Sequence, residues 1–285
     1  MIKIKGMNTL SLPELRSMLQ LATEAAREAA NYIQTGFRKN PLAHHKGPID
    51  LVTDYDKEGE LLIKAHLQAH SSFPIIGEEH GRFEGTTETG TVWYVDPIDG
   101  TSNFVHGHPF YGVSIGLMEG NIPILGVVIA PSLAIEWAGI VGDQATRNGS
   151  KAQVSSTQEL SQAMLATGFP HERATHPDNS FDAFCEMKNQ CQAIRRCGST
   201  AIDLCLVADG TYDGYWERKL KPWDFAAGIA IVIAGGGKVA SYTGKEINIQ
   251  EGHILASNPF LHHVIANTLK PLTLSDSPPV PIRNR

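Results

Sequence analysis

Several features are scarce in this chain, and each scarcity removes a class of function. No apolar run approaches the roughly 18 residues of a membrane-crossing helix. The first residues, MIKIKGMNTLSLPELR, lack the apolar core and cleavage site of a secretory leader, so the cytoplasm is the expected compartment. Cysteine is rare: Cys185, Cys191, Cys197 and Cys205 lie close together without a C-x-x-C pair. That spacing argues against a zinc finger and for reduced thiols packed as small apolar groups. Basic charge is not in excess either, since 24 Lys and Arg against 30 Asp and Glu leave a net charge of −6. A broadly electropositive nucleic-acid binder is therefore not expected. Neither a G-x-x-x-x-G-K-[ST] loop nor a kinase signature occurs, which disfavours nucleotide-driven phosphoryl transfer.

What remains suffices for a large core. The chain has 285 residues, 42% hydrophobic and 19% charged, which suits one large domain or about two ordinary ones. Ser11 and Glu14 form an S-x-x-E capping box with Pro13 in the first turn. Leu15, Met18, Leu19, Ala22, Ala26, Ala29 and Ile33 then recur at helical spacing, predicting a helix to about Arg38. A looser stretch follows, then a second helix from about Asp56 to His70, with Leu61, Leu62, Ala65 and Ala69 as its buried side. Asp54 reads as the cap of that helix. The middle of the chain changes period: TVWYVD, YGVSIGLME, IPILGVVIAPS and EWAGIVG are short β-rich runs, with EGN at 119–121 as a hairpin turn. From about Ser155 strands and helices alternate, with WDFAAGIAIVIA as a buried helix that GGG at 235–237 stops. Asn258-Pro259 marks the start of a last helix, and SDSPPVPIRNR reads as a disordered tail over 275–285. His66 and His70 read as a solvated helix face, and Arg195-Arg196 as a strand-edge or subunit-contact pair.

Four acidic stretches sit where elements end: VTDYD with Asp54 and Asp56, IGEEHG with Glu78 and Glu79, VDPIDGT with Asp96, Asp99 and Thr101, and KPWDFAAG with Asp224. Read alone, Asp-Pro and Asp-Gly are ordinary turn signals. Together, these carboxylates at the edge of a core would repel and desolvate one another. A hard divalent cation removes that conflict, because Mg²⁺ takes oxygen ligands and keeps several waters. Gly100-Thr101 adds backbone N–H groups suited to a phosphate if a short helix begins there. Metals beside an anion-binding turn fit phosphoryl hydrolysis by water that the metals activate, with no phosphoenzyme.

GEE at 77–79, DPIDGTSNFVHG at 96–107 and WDFAAG at 223–228 resemble, in order, the three signature motifs of the inositol monophosphatase family. The likeness extends over nearly the whole chain, from KGPIDLVTDYD through GSTAIDLCLVADG. The resemblance implies an α/β (α+β) fold, the layered αβαβα sandwich of the inositol monophosphatase/fructose-1,6-bisphosphatase type. We expect an N-terminal α+β half over 1–152 with most metal ligands, and a C-terminal α/β half over 153–274, with the site between them. By resemblance, Glu78, Asp96 and the carbonyl of Ile98 hold one Mg²⁺, while Asp96, Asp99 and Asp224 hold a second. A weaker third site uses Glu78 and waters. Gly100 and Thr101 hold the phosphate through their N–H groups, and the Thr101 hydroxyl, supported by Asp56, orients the attacking water. Lys46 matches a lysine near the metals, although KGP is one residue shorter than the K-x-x-P of animal members. Glu79 is expected to face solvent or to back the ligands without touching metal.

Glu217 matches the family's acid for substrate hydroxyls, with Asp224 assisting. Thr200 stands where inositol-specific members have alanine. The implied activity is hydrolysis of inositol monophosphate, with Li⁺ inhibition and a homodimer. Histidinol phosphate or another sugar phosphate is the alternative substrate, and a non-catalytic regulatory or partner-binding role the second alternative.

Overall fold

The computed structural model describes residues 10–47, 50–86, 90–170, 180–242 and 244–270; the expected disordered tail lies outside them. Among the described residues seven α-helices occur: α1 Leu12–Gln34, α2 Asp54–His70, α3 Thr101–Val105, α4 Phe181–Gln190, α5 Thr200–Ala208, α6 Pro222–Ala234 and α7 His262–Leu269. None is long and apolar enough to cross a membrane. Helices α5 and α6 separate an eight-stranded sheet from a five-stranded one. The eight-stranded sheet runs, edge to edge, Ser150–Ala152, Ala145–Arg147, Ile135–Ile140, Ile122–Ala130, Gly112–Glu119, Thr91–Asp99, Ile75–Gly77 and Gly81–Phe83. All its pairings are antiparallel except Ile75–Gly77 with Thr91–Asp99.

Three apolar clusters fill the spaces between five layers, α, β, α, β, α. Helices α1 and α2 pack on one face of the large sheet through Ala22, Ala26, Ile33, Ile63, Leu67, Trp93 and Val95. Helices α5 and α6 fill its other face against Tyr94, Met118 and Val128. The five-stranded sheet packs on those helices and, on its outer side, on α4 and α7. Trp93 and Val95 thus point one way and Tyr94 the other, which is why VWYV, over 92–95, is a continuous apolar and aromatic run instead of an alternating one. Helix α6 is buried nearly all round for the same reason: it lies between two sheets.

Local signals explain most boundaries. Glu14 accepts the Ser11 N–H at 2.6 Å, as the capping box requires, but α1 ends at Gln34, short of the expected Arg38. Arg38 adopts a left-handed φ of 59° that no helix continues through. The looser stretch contains a small hairpin, Ala43–His45 with Leu51–Thr53. Thr53, not Asp54, caps α2, accepting the Tyr55 N–H while Asp56 accepts the Thr53 N–H. Such a cap contributes about 1 kcal/mol.

The buried side of α2 also differs from expectation. Leu61 is 43% exposed, and Ala65 and Ala69 are exposed. Asp56, Gly59, Glu60, Ile63 and Leu67 face inward instead. Hydrophobicity chose the wrong stripe because two acids occupy the buried one. At the chain's last helix, Asn258 accepts the Phe260 and Leu261 N–H groups, and regular helix begins only at His262.

Candidate active site

The site begins with a break in a strand. Asp96 pairs with Ser114 and Asp99 with Gly112, so one strand contributes an extra residue between them. Residues three apart in a regular strand point to opposite faces. The bulge, at a proline that has no N–H for the ladder, cancels that alternation. Asp96 and Asp99 therefore come within electrostatic reach of each other. Asp96 is 2% exposed and accepts the Ile98 N–H at 3.0 Å.

Parallel pairing brings in Glu78. Gly77 aligns with Val95, and the Glu78 N–H donates to the Val95 carbonyl at 3.2 Å, so both strands deliver their acids at the same end. Lys46, just after the small hairpin's first strand, places Nζ 2.7 Å from Glu78 Oε1 and 2.8 Å from Glu79 Oε1. The carboxyl of Glu79 is thus turned inward onto Lys46 and is nearly fully covered, contrary to the solvent-facing option. Burial alone would depress the Lys46 ammonium, but the two carboxylates outweigh it and raise it.

Gly100 starts α3 with φ 96°, a left-handed conformation suited to glycine. A Cβ there would also meet the Gly198 and Phe110 carbonyl oxygens at 3.1 Å. The Thr101 Oγ1 lies 2.9 Å from Asp56 Oδ1 and 3.0 Å from the Ile98 carbonyl, so its single proton has two acceptors to choose from. The other Asp56 oxygen accepts the Thr53 N–H at 2.7 Å and the Thr53 hydroxyl at 2.6 Å. Burial nevertheless pushes the Asp56 carboxyl up to about 7.

The five-stranded sheet's side of the molecule supplies the rest. Asp224, in the first turn of α6, accepts the Lys221 N–H at 2.7 Å. Asp99 accepts the Ser199 hydroxyl at 2.5 Å and the Ala201 N–H at 2.6 Å, both from the start of α5. Thr200 Oγ1 donates to Glu217 Oε2 at 3.0 Å, and the Tyr215 hydroxyl donates to the same oxygen. Asp203, one helical turn past Thr200, is also buried.

Burial followed by mutual repulsion dominates the electrostatics. Asp96 is raised well above the usual carboxylate range by burial, then by Glu78, Asp99, Asp224 and Asp56. Asp224 is raised by burial, Glu78 and Asp99. Asp99 is pushed up to about 7 by burial, despite its hydrogen bonds. Among the described residues no three carboxylate, imidazole or thiolate groups close into a ready-made metal cage. The fit to a metal therefore rests on donor chemistry: the carboxylates and a backbone carbonyl are all oxygen, and Asp96, Asp99 and Asp224 are each raised by acidic neighbours. That set suits a small hard dication that keeps part of its water.

The expected site residues thus lie at the ends of several elements: after the small hairpin's first strand, at the ends of three strands, and in the first turns of α2, α3, α5 and α6. Sequence reasoning passed over Thr53, Glu60, Ser199, Asp203 and Tyr215. Two of these had a legible signal: Glu60 is four residues from Asp56 on the same helix face, and Ser199 precedes an apolar helix as an N-cap does.

A family model described as the inositol monophosphatase family matches residues 14–274. An inositol-1-monophosphatase from Synechocystis sp. is 38% identical over 258 residues, covering 90% of either chain. A protein named Nus factor SuhB from Pseudomonas aeruginosa is 35% identical over 263 residues, covering 90% of this chain and 97% of its own. The solved inositol monophosphatase from Anabaena (Nostoc) sp. superposes with a TM-score of 0.82 at 36% identity, covering 93% of this chain and 98% of that one.

Proposed function

Because the chain belongs to the inositol monophosphatase family of metal-dependent phosphoric monoester hydrolases, we propose that it hydrolyses inositol monophosphate to inositol and phosphate with Mg²⁺. The observation that carries this reading is the acid group formed by buried Asp96 and Asp99 with half-buried Asp224 and Glu78, beside a Thr101 hydroxyl held by Asp56. Glu78, Asp96, Asp99, Asp224 and the Ile98 carbonyl are the groups that would hold two Mg²⁺ ions, with a weaker third beside Glu78. When bound, the metal supplies charge neutralisation for the phosphate and a lowered pKa for water.

The chain's own groups do the remainder. Gly100 and Thr101 direct N–H groups at the phosphate oxygens. Thr101 accepts a hydrogen bond from the attacking water, which fixes its direction, and takes the water's proton as it passes its own to Asp56. Lys46 holds Glu78 in place and balances the charge of Glu79. Thr200 and Glu217 face the alcohol portion, with Asp224 assisting. The division into halves at 152/153 then places metal groups mainly on one side and alcohol-binding groups on the other. Li⁺ inhibition, a homodimer and a cytoplasmic location belong to the same proposal.

Phosphate release from a panel of esters, with and without Mg²⁺, tests this. Inositol monophosphate should be the preferred substrate; a strong preference for histidinol phosphate or another sugar phosphate would replace it. A second reading, a regulatory or partner-binding role, is favoured by the relative named Nus factor SuhB. Negligible release on every ester, equal for wild type and Asp96→Asn, would select that reading.

A further inference from the structure

Helix α2 carries a second buried acid for which the proposed chemistry gives no task. Glu60 lies four residues after Asp56, one turn along the same face, and each is 1% exposed. Glu60 Oε2 accepts the Glu79 N–H at 2.8 Å. Its Oε1 accepts the His80 N–H at 2.8 Å and lies 2.9 Å from His80 Nδ1. The backbone donors are the two N–H groups that immediately follow Glu78. On the preceding side, a Cβ at Gly77 would meet the Glu60 carboxyl atoms at 2.3 to 2.6 Å. One side chain therefore brackets Glu78, pressed against the residue before it and hydrogen-bonded to the two residues after it.

Those contacts constrain direction. Hydrogen bonds from backbone N–H to a carboxylate are short and strong, and two successive ones fix the dihedral angles of the turn. Lys46 holds the Glu78 carboxyl at 2.7 Å. With the backbone around it fixed by Glu60 and its carboxyl held by Lys46, Glu78 has little freedom left. The same contact explains the glycine of GEE, since any side chain at 77 would displace the Glu60 carboxyl.

We propose that Glu60 is a positioning residue, which presets Glu78 for a divalent cation through the backbone of Gly77, Glu79 and His80. The inference rests on the reading of Glu78 as a metal-binding group. Glu60 itself touches neither metal nor substrate. A buried acid that merely stabilised the fold would contribute to the melting temperature and leave metal affinity alone.

The test is Glu60→Gln, which keeps the shape but turns one acceptor oxygen into an N–H₂ group facing an N–H donor. Mg²⁺ binding by calorimetry should weaken about tenfold, the low end of what loss of a ligand's supporting partner costs. In the metal-free protein, the Glu79 and His80 amides should exchange hydrogen faster while those of α1 keep their protection. Gly77→Ala should produce the same pair of effects, and the double variant should add little to either single one. If Glu60→Gln does not fold, Glu60→Asp keeps the charge, withdraws it by one methylene, and is read in the same way. Unchanged Mg²⁺ affinity, or unchanged exchange at Glu79 and His80, overturns the proposal even if the melting temperature falls. A wild-type protein that binds no Mg²⁺ overturns the metal reading together with it, whereas a wild type that binds and a variant that matches it overturns only the role of Glu60.

Discussion

At the rim of the acid group, Glu78 and Glu79 meet a cation of the protein's own, Lys46, at 2.7 and 2.8 Å. On its floor, Asp96, Asp99 and Asp224 have no basic side chain within ion-pair distance among the described residues. Their hydrogen bonds come from three backbone N–H groups and the Ser199 hydroxyl. One ammonium thus offsets part of the rim's charge before anything binds, whereas burial and repulsion make the floor carboxyls bind protons more tightly than free ones. A floor of this kind takes up its charged form more readily when a cation arrives from outside, which is how a site can lessen its charge conflict and still be acid-rich.

The sharpest way to break this contrast is Asp96→Asn. Phosphate release at saturating Mg²⁺ should fall by about 10³-fold or more, because several kcal/mol of charge stabilisation depend on the group. The same variant should raise the melting temperature of the metal-free protein at pH 8 by about 2–4 °C, since it removes one repelling acid. A lowered melting temperature would show that the floor is already compensated.

Next in size is Thr101→Val, which leaves the acids in place and removes the hydroxyl held by Asp56. A fall in kcat of about 10²-fold with little change in KM is expected from a lost proton-transfer partner. Equal loss in KM instead would place Thr101 in binding alone.

A third test uses pH. The floor acids and Asp56 bind protons more tightly in the native protein than in the unfolded chain, where carboxyl groups release near 3.8. Their contribution to metal-free stability should thus fall as pH rises from about 3.8, levelling for Asp56 and Asp99 above about 7. Metal must displace those protons, so Mg²⁺ affinity should rise with pH over the same window. Melting curves with and without Mg²⁺ at pH 5, 6, 7 and 8 should diverge steadily; parallel curves would remove the distinction between rim and floor.

The smallest effect is expected at Lys46→Met. Lys46 and Glu78 are partly exposed, and the covered Glu79 carboxyl already binds its proton more tightly than a free one, so metal-free stability should change by about 1 kcal/mol or less. A denaturant midpoint shifted by much more would mean that the rim is as tightly coupled as the floor.

Much of this was legible in residue order. The capping box of Ser11 and Glu14, the hairpin at Gly120-Asn121 and the glycine stop after α6 are local events, and their signals are local. The acid motifs were legible because carboxylates at element ends are unusual wherever a core begins. The misreadings share one cause. Hydrophobicity marks Leu61, Leu62, Ala65 and Ala69 as the buried side of α2, but the inward face serves Thr101 through Asp56 and the Glu78 turn through Glu60. Of the two expectations for Glu79, the solvent-facing one fails because its partner, Lys46, lies 33 residues away in the chain and leaves no local sign.

The order of residues by itself determined the helices, the strand-rich middle, the kind of donor atoms and the family that the three motifs announce. Tertiary structure alone decided which acids meet. The bulge at Pro97 turns Asp99 toward Asp96, parallel pairing carries Glu78 alongside, and the start of α5 reaches across to hold Asp99. The reason is physical: capping and periodicity act over a few neighbouring residues, whereas repulsion, burial and hydrogen bonding at this site join groups that are 100 positions apart, as in Asp99 and Ser199.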